Sequence, residues 1–547
     1  MHISKLKKLE TSNVFELHKW SNTNLITKIL LVLFAVVFTW IIAHMVLSPT
    51  YQWPGVAFLI NVLGAVGISW ILLKYSYKLE SRLRYYQIIL VFVFLFAIQL
   101  FIAFALQISP IETGWDPQFI YKAAIALTTG NNAYTDIYFY FERNSNNLGL
   151  LAILATWFKL WRWTDIPPET LTVILNVAFM NASLWLLYLS ARRIHGEIGA
   201  NIALAMGVVF ITLSSWVTTF YSDSVGLLFP IATLYLYIKI LDSESSRYKV
   251  LIALLAGILL GVGFLVKPTI IIVAVAIVIV FIMNNADIDK RRILLRGFLY
   301  STVVAAFAIL SFLGVRGFML DKMKIQINSL PESHFIMIGL KKACYSQNSN
   351  LCLYGAYNEA DAVKYSKFGS MDEYRSYTYS EIKKILAGYG IGGYLEYLSE
   401  KGAWVLGDGT FYAYGEGAGG NVAMNSNFYG SSLVKDILHI KGAYYEVIIH
   451  TFQIIWFAIL ILLLLPIYKR AKTSQVMLII YLSLFGILLF TLIFEGRSRY
   501  LYLYVPLFIL GAVSAIKTAS AAKHKTEYME KVTYVFKAAK SRVKKIL

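Results

Sequence analysis

About twelve runs of roughly 20 apolar residues, long enough to cross a hydrocarbon core of about 30 Å as helices, leave this chain few ways to fold. They fall near residues 25–47, 54–74, 86–108, 170–191, 199–220, 224–241, 250–266, 268–284, 295–315, 446–467, 475–494 and 499–516. Lipid offers no hydrogen bonds, so apolar runs of this length satisfy their backbone internally as helices. With 58% hydrophobic and only 15% charged residues, the chain has too little charge to cover a soluble surface of 547 residues. The expectation is an all-α polytopic membrane protein. The first run is too long for a leader and lacks a small-residue cleavage site, so it reads as a retained span.

Basic loops set the orientation. SKLKKLE precedes the first span, KYSYKLESRLR follows the second, and ARRIHG, SSRYK, DKRRILLR and YKRAK recur after alternate spans. Placing all of them in the cytoplasm puts both termini inside. The stretch 146–161 would reverse that pattern if it crossed, which would make thirteen spans, so it reads as a juxtamembrane or re-entrant helix on the outer side. The expected organisation is then 1–108 (N-terminal segment and three spans), 109–169 (first outer loop with juxtamembrane helices), 170–315 (membrane core), 316–445 (a mixed outer loop domain), 446–516 (C-terminal spans) and 517–547. The last segment reads as a basic amphipathic helix suited to an anionic inner leaflet. The net charge of +19 is what such basic loops supply and implies no nucleic-acid partner. Cys344 and Cys352 share one outer loop, where they either pair or stand as two thiols.

In this orientation, charged and titratable groups from distant segments gather at the outer rim. Asp116, Asp136, Glu142 and Arg143 lie in the first outer loop, Asp223 in FYSDSVG, Lys267 in GFLVKPTIII, His334 in LPESHFIMIGL, and Glu495, Arg497 and Arg499 in FEGRSRYLYLYVP. Each has an ordinary explanation. Cations snorkel to headgroups, Asp223 caps a helix beginning at Ser224, and aromatic residues form an interfacial belt. Lys267 resists that explanation, because it interrupts the apolar stretch 250–284 and an unpaired lysine there costs a few kcal/mol. Cations at a rim suit a lipid phosphate, and a carboxylate beside them suits a base that takes a proton from an attacking hydroxyl.

These motifs resemble the GT-C glycosyltransferases, membrane enzymes that use polyprenyl-phosphate sugars, and especially bacterial relatives of protein O-mannosyltransferases and of the lipid A aminoarabinose transferase. The resemblance covers about residues 86–516. GWDPQFIYKAA matches the family's first outer loop, YFERNSNNLGLL the segment that re-enters the membrane, and ARRIHG, YSDS, GILLGVGFLVKP and FEGRSRYLYLYVPLF follow in the family's order. It implies a GT-C fold and inverting transfer to an acceptor hydroxyl at the outer face of a bacterial plasma membrane. Asp116 would be the catalytic base, and Lys267, Arg497 and Arg499 would hold the donor phosphate. Asp223, Glu495, His334, Glu142 and Arg143 would shape the pocket, orient the cations or meet a metal. Trp115, Tyr138, Asp408, Tyr412 and Tyr414 would contact sugar or acceptor. No cofactor is required for a monophosphate leaving group, although a divalent Mg or Mn ion on Asp116 or Asp223 is compatible. Acceptors in reach of the resemblance are a cell-envelope glycan, a teichoic acid, a glycolipid or a protein. Many protein mannosyltransferases carry an Asp-Glu pair where this chain has Asp116 followed by Pro117. Two other readings remain beside the transferase: a polymerase using pyrophosphate-linked donors, and a lipid or glycan transporter.

Overall fold

A computed structural model describes residues 25–47, 56–76, 83–106, 113–130, 137–285, 291–344, 352–413 and 430–519. The expected cytoplasmic N-terminal segment, most of the basic tail, Asp136 and Tyr414 lie outside those residues. Three helices open the chain: α1 (Leu25–Leu47), α2 (Val56–Tyr75) and α3 (Tyr85–Leu106). Two short helices, α4 (Asp116–Thr129) and α5 (Leu148–Leu160), precede α6 (Pro168–Gly207). Then come α7 (Leu228–Asp242), α8 (Ser246–Val266), α9 (Ile271–Asn285) and α10 (Arg291–Met323). The segment expected to lie outside contributes α11 (Glu332–Gly339), a hairpin of β1 (Lys342–Cys344) and β2 (Cys352–Tyr354), α12 (Met371–Leu406) and α13 (Ser431–Leu438). Helices α14 (Tyr445–Tyr468), α15 (Gln475–Ile493) and α16 (Val505–Ala519) close the described chain.

Nine helices among the described residues are long and apolar enough to cross a membrane, and α9 and α16 are shorter apolar helices. The protein is thus a mostly helical, multi-pass membrane protein. Many large apolar side chains on these helices face outward, Phe94 and Leu310 being 65% and 62% exposed. Such surface belongs against lipid, since water would not tolerate so large an apolar face.

Several expected boundaries shift. The runs 170–191 and 199–220 share α6, whose halves are separated by the non-helical Gly196 and whose end continues as a π turn over Val208–Thr212. The run 295–315 is the middle of α10, which continues to Met323. At 13 residues, α5 is about 20 Å long, too short to cross. It packs against α4 and α8, and Gly149 lies so close to Leu265 that a Cβ would come within 2.6 Å of that backbone. This contact fixes α5 beside the end of α8.

The described part of the expected mixed loop domain is mostly helix, with one short hairpin and several irregular stretches. Its one described sheet is the antiparallel hairpin, whose register sets Cys344 opposite Cys352, and the two form a disulfide. Helix α12 begins on a Ser370 cap that accepts from the Glu373 amide, and Glu373 reaches back to the Gly369 amide. It breaks at Gly390, after which Ala403–Leu406 become buried against α1 and α15. Beyond α12, the turn 408–413 plugs into the bundle. Phe411 packs on Trp456 with ring centroids 4.8 Å apart, and the indoles of Trp216 and Trp456 donate to the carbonyls of Phe411 and Leu406.

Candidate functional site

The stretch GWDPQ is a helix start. Gly114 takes a left-handed φ of 75°, Trp115 is extended, and Asp116 and Pro117 open α4, where proline's missing N–H costs nothing. The Gln118 side chain accepts from the Gly114 amide at 2.9 Å and closes the turn. Asp116 does not simply face water. The Tyr221 hydroxyl donates to its Oδ2 at 2.5 Å, and the Tyr140 hydroxyl is also hydrogen-bonded to it. Tyr140 in turn accepts from the Asn147 amide at 2.7 Å, and its ring stacks on Phe119. Burial, and then the Asp116 charge, hold both phenols well above the usual tyrosine range, so both stay protonated donors.

Tyr221 belongs to the segment that also presents Asp223. Ser224 accepts from the Tyr221 amide and donates to the Thr219 carbonyl, which folds 219–224 into a tight loop. The Asp223 carboxylate is fully buried and turns to two cations, so the helix-cap explanation does not describe it. Lys267 pairs with its Oδ1, and Arg499 Nη1 lies 3.6 Å from its Oδ2. Lys267 is the extended residue that ends α8, with Pro268 starting the next turn, so its side chain leaves the helix at the break. Its ammonium also sits 4.4 Å from the Tyr500 ring centre. The Arg499 guanidinium lies 5.6 Å from the rings of both Trp115 and Tyr221. Tyr221 therefore joins the two halves: its hydroxyl holds Asp116 and its ring meets Arg499.

The neighbouring 495–498 turn is tied elsewhere. Glu495 accepts from the Tyr500 hydroxyl at 2.8 Å, and its amide donates to the Phe335 carbonyl. Arg497 lies 4.8 Å from the Tyr412 ring. Asp408 accepts from the Thr410 and Tyr412 amides, the Thr410 hydroxyl and the Ser498 hydroxyl, all between 2.6 and 2.8 Å. That set pins Phe411 and Tyr412 in left-handed conformations, with φ of 53° and 56°. Asp408 is thus a scaffold that places Tyr412 under Arg497, rather than a group presented to a sugar.

The remaining expected residues lie apart, His334 in α11 and Tyr138, Glu142 and Arg143 in the segment before α5. His334 is buried, with Nδ1 2.6 Å from the Tyr374 hydroxyl, and burial pushes its pKa down to about 4. It is neutral at pH 7. Arg143 lies 4.2 Å from the Tyr365 ring, and the Glu142 carbonyl accepts from the Asn328 amide. Among the described residues, no hydrogen bond, ion pair or ring contact joins His334, Glu142 or Tyr138 to Asp223. Asp116, Asp223, Lys267, Arg499, Trp115 and, through Tyr500, Glu495 do come together. Sequence reading missed Tyr140, Asn147, Tyr221 and Tyr500, although all four stand inside motifs already singled out, YFERNSNNLGLL, FYSDSVG and FEGRSRYLYLYVP.

The arrangement offers a carboxylate held by two phenols, next to two cations that share one buried carboxylate. Among the described residues no three His, Cys, Asp or Glu side chains gather as metal ligands. A narrow crevice lined by Thr113, Tyr121, Thr172, Thr218 and Thr219 runs beside Pro117 and Phe220, the neighbours of Asp116 and Tyr221. No curated protein and no solved structure matches the chain. A family model described as a conserved hypothetical integral membrane protein matches residues 14–520. The chain belongs to that family of integral membrane proteins.

Proposed function

We propose that this protein is a GT-C-type membrane glycosyltransferase with twelve spans, acting at the outer face of the plasma membrane with both termini in the cytoplasm. It moves a sugar from a polyprenyl-phosphate donor to the hydroxyl of a glycan, teichoic acid, glycolipid or protein acceptor. The observation that carries the reading is the joining of Asp116, through Tyr221, to the Asp223–Lys267–Arg499 cluster.

In the proposed step the acceptor oxygen attacks the anomeric carbon from the face opposite the phosphate. A bond forms from that oxygen to the carbon, and the bond from the carbon to the phosphate oxygen breaks with inversion. The acceptor proton passes to Asp116, which the two tyrosines hold in place. The leaving phosphate keeps the electron pair, and Arg499 and Lys267 meet its growing charge. Two cations on one carboxylate carry a net positive charge, so an incoming phosphate need not displace Asp223 to be attracted. Arg497, held over Tyr412, would reach the donor from the adjacent turn. A divalent ion is compatible with this chemistry, but the step does not run through one.

The test supplies labelled polyprenyl-monophosphate sugars and host glycan extract to the full-length protein in native-lipid nanodiscs. Transfer from a monophosphate donor is the expected result. Transfer from a pyrophosphate donor alone would make the protein a polymerase, and movement of intact lipid-linked sugar without transfer would make it a transporter.

A further inference from the structure

The outer domain holds a cavity of about 700 Å³ that the proposed transfer site does not use. That volume falls within the roughly 300–1,000 Å³ usual for small-molecule sites. One wall is the disulfide-closed hairpin, another the segment 356–361, and the third the first half of α12. The walls are tied to one another. The Tyr389 hydroxyl donates to the Leu340 carbonyl at 2.9 Å, and the Gly355 amide donates to the Lys341 carbonyl at 2.8 Å.

Charge decides what the cavity would hold. Lys341 is paired with Asp361 at 2.5 Å, and Lys342 donates to both oxygens of Glu400 at 2.8 and 2.9 Å. Each lining cation is thus already neutralised by a carboxylate, which disfavours an anionic occupant. Also lining the cavity are Tyr357, Tyr389, whose ring stacks on Tyr397, the acidic Glu381, and Asn358, whose side-chain oxygen accepts from the Ala360 amide. Tyr357 is 47% exposed, and Glu381 has only a loose pairing, 3.9 Å from Lys384. Aromatic faces accept the C–H face of a pyranose, and carboxylate and amide groups bond its hydroxyls. We propose that this cavity is a binding site for a neutral saccharide.

Its position gives that site a consequence. The Gly355 carbonyl accepts from the Gly496 amide at 3.0 Å, which ties the cavity wall to the turn carrying Arg497 and Arg499. Lys401 strengthens the tie by donating to the carbonyls of Gly339, Leu492 and Phe494 at 2.6 to 3.1 Å. Gly355 has φ of 66°, and a Cβ there would come within 2.8 Å of the Gly339 carbonyl oxygen, so a larger residue is strained on both counts. A saccharide held in the cavity would sit on the same rigid piece as the Arg497–Arg499 turn. Binding there is independent of whether Asp116 acts as a base.

The experiment is saturation-transfer difference NMR on the full-length protein in nanodiscs, with cellotetraose, maltotetraose and chitotetraose as probes. At least one tetrasaccharide is expected to receive magnetisation on its ring protons. Tyr357→Ala and Glu381→Gln, at cavity-lining positions, should each weaken that binding roughly tenfold, about 1.4 kcal/mol, while Tyr357→Phe retains it. No transfer to any probe from the wild-type protein overturns the proposal. So does unchanged binding in both variants, competition by inorganic phosphate, or loss of binding in Asp116→Asn with retention in Tyr357→Ala.

Discussion

Lys267 and Lys401 are both buried lysines, yet they are satisfied in different ways. Lys267 is paired with a carboxylate, shares it with Arg499 and lies against the Tyr500 ring. Lys401 is surrounded by three backbone carbonyls from two chain segments. A carbonyl cage matches the three N–H bonds of an ammonium and leaves little reason to exchange partners. A cation that shares a carboxylate with a second cation can bind an added anion without leaving its first partner. In the proposed reading the first lysine meets the donor phosphate, whereas the second holds α11 and α12 against the Glu495–Arg499 turn.

The largest effect should come from breaking the carboxylate side. Asp223→Asn leaves Lys267 buried without its charge partner, and the expected loss of stability is about 3–5 kcal/mol, read as a lower unfolding temperature in detergent. Removing both charges in Asp223→Asn/Lys267→Met should recover most of that loss while abolishing donor binding. A stable single variant would show that the pair does not hold the site.

A buried base without a carboxylate partner gives the next effect. The His334 imidazole titrates near 6.5 when unfolded and near 4 in the folded chain, because burial disfavours its charged form. Its contribution is complete above pH 6.5 and is lost as pH falls toward about 4, on the order of 3 kcal/mol. His334→Gln should flatten the acid side of the stability curve over that window, and an unchanged curve would place the acid sensitivity elsewhere.

The smallest effect should come from Lys401→Met, which removes the ammonium's bonds to the Leu492 and Phe494 carbonyls, leaving Gly339 its Tyr397 partner, and costs about 2 kcal/mol. Hydrogen exchange at the Gly496 amide should quicken in this variant. Unchanged exchange would mean that Gly355 alone carries the tie between the hairpin and the turn.

The spans were legible because runs of about 20 apolar residues have one physical solution in lipid. Lys267 was legible for the same reason, as a charge where a charge is expensive. Its pairing with Asp223 was not, because no periodicity links a helix break to a loop elsewhere in the chain. Tyr140 and Tyr221 were hidden by their type, since tyrosines near membrane turns already have an interfacial explanation. Helix α12 was hidden by its polarity, since no long apolar run marks it. Asp408 entered only through the resemblance, as a sugar or acceptor contact, and its bond to Ser498 was not legible because that residue folds back from a distant segment.

The measurement closest to the central claim compares sugar transfer by the wild-type and Asp116→Asn proteins in nanodiscs, with donor binding followed in parallel. The account predicts donor binding within about twofold of wild type and transfer reduced by roughly 10²-fold or more. Equal transfer by the two proteins would contradict it and return Asp116 to the role of a helix-opening residue hydrogen-bonded to two tyrosines.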